Sequence, residues 1–344
     1  MKPFLTILLD SYRGLKSETL FWITLGLSVL VAVVFLSIGM DDDGLSFLFG
    51  AFQWNPGEIF GSGLMAGVIN RVVYLMTFSN LVAGIWLTFI ATILALISCA
   101  SIFPDSMEEG TAGMLLTKKP SRLLVFFAKL TGSLLFVMVQ VGLFVVIVFV
   151  AFRWRLGVWN FSVFWYLPAV LLVFLNLYSV MVLVGVKTGS VLSSILVTIL
   201  VWGLSASLNF GINSIERQLQ LPEKTPADPA LVVKEAPVGD RGGIVKDENR
   251  LGLRDWLEIL ETIHLFLPKN GPIMEVAEEK LVIGGLEEFG GFEKLKKEME
   301  KEDGRGPLAD ASARKSRFST IGSSSLFCAV MLGWAALAFS RKEV

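Results

Sequence analysis

The chain has 344 residues, of which 53% are hydrophobic and only 18% charged, with a mean hydropathy of +0.65 and a formal net charge of −1. A water-soluble protein of this length does not carry so oily a composition, so the bilayer is the solvent for much of it. A charge this close to zero supplies no bulk field for nucleic acid, and no nucleic-acid partner is expected.

In chain order, residues 1–18 set Phe4, Leu5, Ile7, Leu8, Leu9, Tyr12 and Leu15 against Lys2, Asp10, Arg13 and Lys16, the pattern of a helix lying in the membrane interface. Crossing about 30 Å of hydrocarbon takes roughly 20 predominantly apolar residues. Six such runs follow: Thr19 to Gly39, Val73 to Phe103, Leu123 to Phe152, Phe161 to Val186, Ser190 to Ile212 and Ser323 to Phe339. The first ends at Met40, Asp41, Asp42 and Asp43 without a small-residue cleavage site, and reads as a retained signal anchor. Residues 41–58 read as a loop, and the weakly amphipathic stretch from Ile59 to Phe78, with Asn70 and Arg71, as interfacial or as a re-entrant extension of the second helix.

None of the six runs holds an acid or base in its central turns, which argues against a proton or ion route built from charges within the spans. Gln140, Asn176 and Asn209 suit helix-to-helix contacts, and Cys99 and Cys328 suit packing as small apolar groups.

Between the fifth and sixth runs lies a polar insertion. Pro222, Pro226, Pro229, Pro237, Gly239, Gly242 and Gly243 among charges favour a flexible linker. Leu253 to Leu267 has the period of an amphipathic helix stopped at Pro268. Residues 275–302 read as a charged, solvated helix, with Glu278, Glu279, Glu287 and Glu288 on its solvated faces. The expected fold is therefore an all-α polytopic membrane protein of about six transmembrane helices. Its parts are an interfacial helix at 1–18, a five-helix region at 19–212, a soluble insertion at 213–322, and a last helix with its tail at 323–344.

Catalytic machinery is not visible. No Gly-x-x-x-x-Gly-Lys-[Ser/Thr] phosphate loop occurs, and His264 is the only histidine, which excludes a multi-histidine zinc site and disfavours a Ser-His-Asp triad. No enzymatic activity, metal or cofactor is expected of this chain.

The most patterned segment is the loop at 104–122. Asp105, Glu108 and Glu109 precede Gly110 and Thr111, followed by apolar Met114, Leu115 and Leu116, then Lys118, Lys119, Pro120, Ser121 and Arg122, with Lys129 and Gly132 on the next helix. Such a loop makes a short helix parallel to the membrane, offering Met114, Leu115 and Leu116 to another protein and placing Lys118, Lys119, Arg122 and Lys129 at the headgroups. By spacing alone, an ordinary loop with basic residues near lipid fits as well. Counting Lys and Arg over both sets of flanks is close to a draw and leaves topology open.

In order and spacing, the run from Glu108 to Gly132 resembles the signature loop of ABC-2 type transporter permeases. Ile263 to Pro268 is similar to a Leu-Pro segment in the last outer loop of that family, while the long stretch 213–262 departs from its compact members. The resemblance implies a permease subunit of an ATP-binding cassette exporter in the cell inner membrane, with both termini cytoplasmic and 213–322 outside. It would dimerise with itself or a second permease and bind a separate ATPase subunit, which holds the ATP. Asp105, Glu108, Glu109, Gly110, Thr111, Met114, Leu115 and Leu116 would form the docking helix. That orientation leaves Arg314, Lys315 and Arg317 outside, against the charge rule. The alternative is a membrane-anchored scaffold whose outer insertion binds another envelope component.

Overall fold

A computed structural model of the chain describes residues 19–41, 44–47, 51–54, 73–105, 121–220, 267–288 and 307–341, and most of 252–264. The expected interfacial helix at 1–18 and residues 106–120 of the patterned loop lie outside the described residues.

The chain is an all-α polytopic membrane protein apart from one small meander. Helix α1 is Thr19–Leu36, and α2 spans Val73–Cys99. Helix α3 is Arg122–Leu156, α4 is Tyr166–Thr188 and α5 is Val191–Gln220. Helix α6 is Asn270–Glu288 and α7 is Pro307–Arg341. Among the described residues, five stretches are long and apolar enough to cross a membrane: Val73–Cys99, Arg122–Arg155, Phe161–Thr188, Val191–Ile215 and Ile321–Arg341. Helix α1 has 18 residues, about 27 Å of rise, and is apolar apart from Thr19, Thr24 and Ser28.

Where a loop was expected after α1, Gly39–Asp41, Gly44–Phe47 and Phe52–Trp54 form an antiparallel meander, β1 to β3. Gly39 is required where β1 crosses Ser46 and the Arg155 guanidinium, because a Cβ there would collide with the Ser46 hydroxyl.

Helix ends are set by local chemistry. The Ser121 hydroxyl caps α3 by accepting from the Leu124 N–H at 3.3 Å, and Gly157 ends it in the left-handed conformation at φ 74°. Gly189, at φ 69°, closes α4 in the same way. The middle of α2, Phe78–Ala91, is wound as a π-helix. The hydroxyls of Thr88 and Thr92 donate to the carbonyls of Ala83 and Leu87, five residues back.

Helix α4 is the axis of the bundle: Val173, Phe174, Asn176, Leu177, Tyr178 and Ser179 are all buried, and α3, α5, α6 and α7 pack around it. Two aromatic knots tie the helices together. At one end Phe78 meets Phe35 at 4.9 Å and Phe152 at 5.2 Å; at the other Phe126 meets Phe103 at 5.1 Å and Phe339 at 5.8 Å. Such pairs add about 0.5–1.5 kcal/mol beyond the area they bury. Gln140 reaches Ser28 on α1, and both cysteines are free and buried, as their sequence setting suggested.

The insertion differs from its sequence reading. Of the helix expected over 275–302, residues 289–302 lie outside the described residues; the described part is not solvated, since α6 buries Ile273, Met274, Ala277 and Leu281 against α4, α5, α7 and the 3-10 turn Phe161–Trp165. Ile273, Met274, Ala277 and Leu281 face the bundle, whereas Val276, Val282 and Ile283 lie among the charged residues, so the helix shows no clean apolar stripe in sequence.

Candidate functional site

The described residues of 252–264 and helix α6 run alongside α5 and α4, with the non-helical residues Leu267–Lys269 between them. Leu260 lies against Gly211 of α5. At the turn, the Ser205 hydroxyl donates to the Pro268 carbonyl, and Asn209 lies against Gly271. Next, Asn176 of α4 donates from Nδ2 to Oδ1 of Asn270 at 3.4 Å. Farther along α6, Asn160 Nδ2 donates to the Leu281 carbonyl at 3.1 Å. Gly284 and Gly285 then pass so close to Ser162, Asn160 and Leu75 that no side chain fits between.

The level of the turn is read along α4. Trp159, Phe161, Phe164, Trp165 and Tyr166 gather at one end of its apolar run. At the other end the Lys187 ammonium sits 4.0 Å from the centre of the Trp334 ring. Aromatic belts and snorkelling lysines mark the headgroup levels, and the 20 residues from Leu167 to Val186 rise about 30 Å, one hydrocarbon thickness. Asn176 is at the middle of that run. The Leu267 to Asn270 turn therefore lies level with the middle of α4, beside Asn176.

One face of α6 is buried and the other is open. Glu275 and Lys280 are exposed, and Pro272, Val276, Glu278 and Glu279 are half-exposed. At the turn, Lys269 is half-buried beside buried His264. Asn176 Oδ1, Asn270 Nδ2 and His264 Nε2 are buried without a hydrogen-bond partner among the described residues. Sequence reading took Pro268 as a helix stop and Asn176 as helix glue. It missed that Asn270, Gly271, Gly284 and Gly285 are the small or amide residues that the close packing of α6 needs.

At the opposite end of the bundle, three of the expected docking and headgroup residues are described. Asp105 is exposed and Arg122 half-buried, while Lys129 turns inward and its ammonium donates to the Ile102 carbonyl at 3.0 Å. Lys129 thus ties the end of α2 to the start of α3. Glu108, Glu109, Gly110, Thr111, Met114, Leu115, Leu116, Lys118 and Lys119 lie outside the described residues.

These features define a polytopic membrane protein with residues 267–288 packed into the bundle at one end and Lys129 bonded to Ile102 at the other. No protein-family model, curated protein or solved structure matches the chain.

Proposed function

We propose that the chain is the transmembrane subunit of an ABC-2 type exporter, driven by ATP hydrolysed on a separate subunit that docks on residues 105–116. The observation that carries the reading is the ordered run from Glu108 to Gly132, acids then Gly-Thr, apolar residues, basic residues and a Lys-x-x-Gly. The Lys129 to Ile102 tie supports it, since a loop that transmits force to two helices works only if its ends are held together. In this reading both termini are cytoplasmic and the working unit is a dimer in the cell inner membrane.

Affinity purification of the tagged protein from solubilised membranes tests it. A nucleotide-binding subunit is expected with the wild type and is lost in Glu109→Arg and Leu115→Asp while folding and membrane insertion persist. Recovery of no ATPase with the wild type overturns the reading. The scaffold alternative needs an insertion free to bind a partner, and the burial of α6 in the bundle leaves less of 213–322 for that role.

A further inference from the structure

We propose that the helix over 252–264 is a membrane-contact element, whose Trp256, Ile259 and Ile263 pack on the acyl chains of the phospholipid bilayer beside the exposed side of α5. The inference does not depend on the exporter reading, and it takes this segment out of the soluble insertion expected over 213–322.

The residues described between 252 and 264 are helical, and their apolar side chains fall on two adjoining stripes. Leu253, Leu257, Leu260 and His264 form the less exposed one, and Leu260 lies against Gly211 of α5. Trp256, Ile259 and Ile263 form the other, and they are 61%, 49% and 45% exposed. With 3.6 residues to a turn, the two stripes join into one apolar arc about 160° wide, and the bundle takes up only part of it. In the sequence the charges recur out of phase with that arc, at Arg254, Asp255, Glu258 and Glu261. Asp255 is exposed. An apolar arc wider than its protein contact, set against a charged one, is the pattern of a helix lying on a bilayer.

The neighbour of this helix indicates what covers the second stripe. Gly211 belongs to Val191–Ile215, a stretch long and apolar enough to cross a membrane, and α5 exposes Leu200, Leu204 and Phe210 along it. Phe210 directly precedes the glycine that Leu260 touches, and it is 76% exposed. The Trp256 stripe is thus carried on a helix seated against a span, among that span's own exposed apolar side chains. As a protein interface the stripe is small, since a stable one takes roughly 20–30 residues a side. A bilayer sets no such minimum, and indoles are enriched where hydrocarbon meets headgroups.

Nitroxide labels on single cysteines of the full chain test the contact, in a Cys99→Ala, Cys328→Ala background reconstituted into phosphatidylcholine and phosphatidylglycerol vesicles. Collision rates are read with oxygen, which concentrates in hydrocarbon, and with a neutral nickel chelate, which stays in water. Trp256→Cys, Ile259→Cys and Ile263→Cys are expected to give oxygen-to-nickel ratios several-fold above Asp255→Cys and close to Leu204→Cys on the exposed side of α5. Nickel-favoured collisions along the stripe overturn the proposal, because the stripe is then in water. Low rates with both reagents overturn it as well, because protein then covers the stripe. The wild-type chain gives a second readout that no substitution can spoil. A phospholipid with a diazirine on its acyl chain is expected to label Trp256, Ile259 or Ile263 on irradiation, together with α5. Label on α5 but none between 252 and 264 excludes the contact.

Discussion

Asn176 on α4 and Asn270 on α6 share a hydrogen bond at 3.4 Å across 94 residues of sequence, and it joins the start of α6 to the middle of α4. Hydrogen bonds between helices in bilayers contribute about 0.6 kcal/mol on average and up to about 1.7 kcal/mol. A double-mutant cycle of Asn176→Ala and Asn270→Ala, read by reversible unfolding in mixed micelles, should give a coupling in that range. Zero coupling would mean that the two amides do not meet in the membrane.

The close passage of α6 at Gly285 makes a second expectation. A Cβ there would lie 2.5 Å from Leu75 Cδ1 and 3.1 Å from Asn160 Nδ2, and Leu75 is itself fully buried. Gly285→Ala should cost about 1–3 kcal/mol by overpacking, while Gly142→Ala, with open space around it, should cost nothing or stabilise α3. Thermal denaturation of the two variants side by side decides this. Equal melting temperatures would place α6 away from α2.

Arg155 at the end of α3 donates from Nε and Nη2 to the carbonyl of Leu36, at 3.1 and 2.9 Å, and so caps α1. Arg155→Met should cost about 1.5–3 kcal/mol, the range for a hydrogen bond from a charged group, and Arg155→Lys should restore only part of it. Hydrogen exchange at the last turn of α1 should speed up in the Met variant; unchanged exchange there would refute the capping role.

Lys129 makes a fourth case. Its bond to the Ile102 carbonyl ties the ends of α2 and α3, so Lys129→Met should speed amide exchange over residues 100–105 with little change in α4. Lys129→Arg should preserve much of the protection. If Met leaves the exchange of 100–105 untouched, the tie is not holding the loop.

The membrane class and the helices were legible in the sequence for one physical reason: whether a segment partitions into a bilayer depends on its own composition. Runs such as Phe161 to Val186 therefore appear almost as read. The first run is shorter than read, because the chain turns into a meander at Gly39, and strand pairing depends on residues outside the run. The docking and headgroup residues could be picked by their order, but of that set only Asp105, Arg122 and Lys129 are described.

Composition and period thus determined, without further help, that this is a polytopic membrane protein, where its helices lie, and that a patterned loop joins α2 to α3. Only the tertiary structure decided that α6 packs into the bundle. Averaged over α6, Glu275, Glu278, Glu279 and Lys280 offset the apolar residues, so the helix looks solvated when read alone. Its place is set by partners far along the chain: Asn160, Ser162 and Asn176 on one side and Ser205 on the other. Hydropathy is local and additive; the contacts that seat α6 in the bundle are neither.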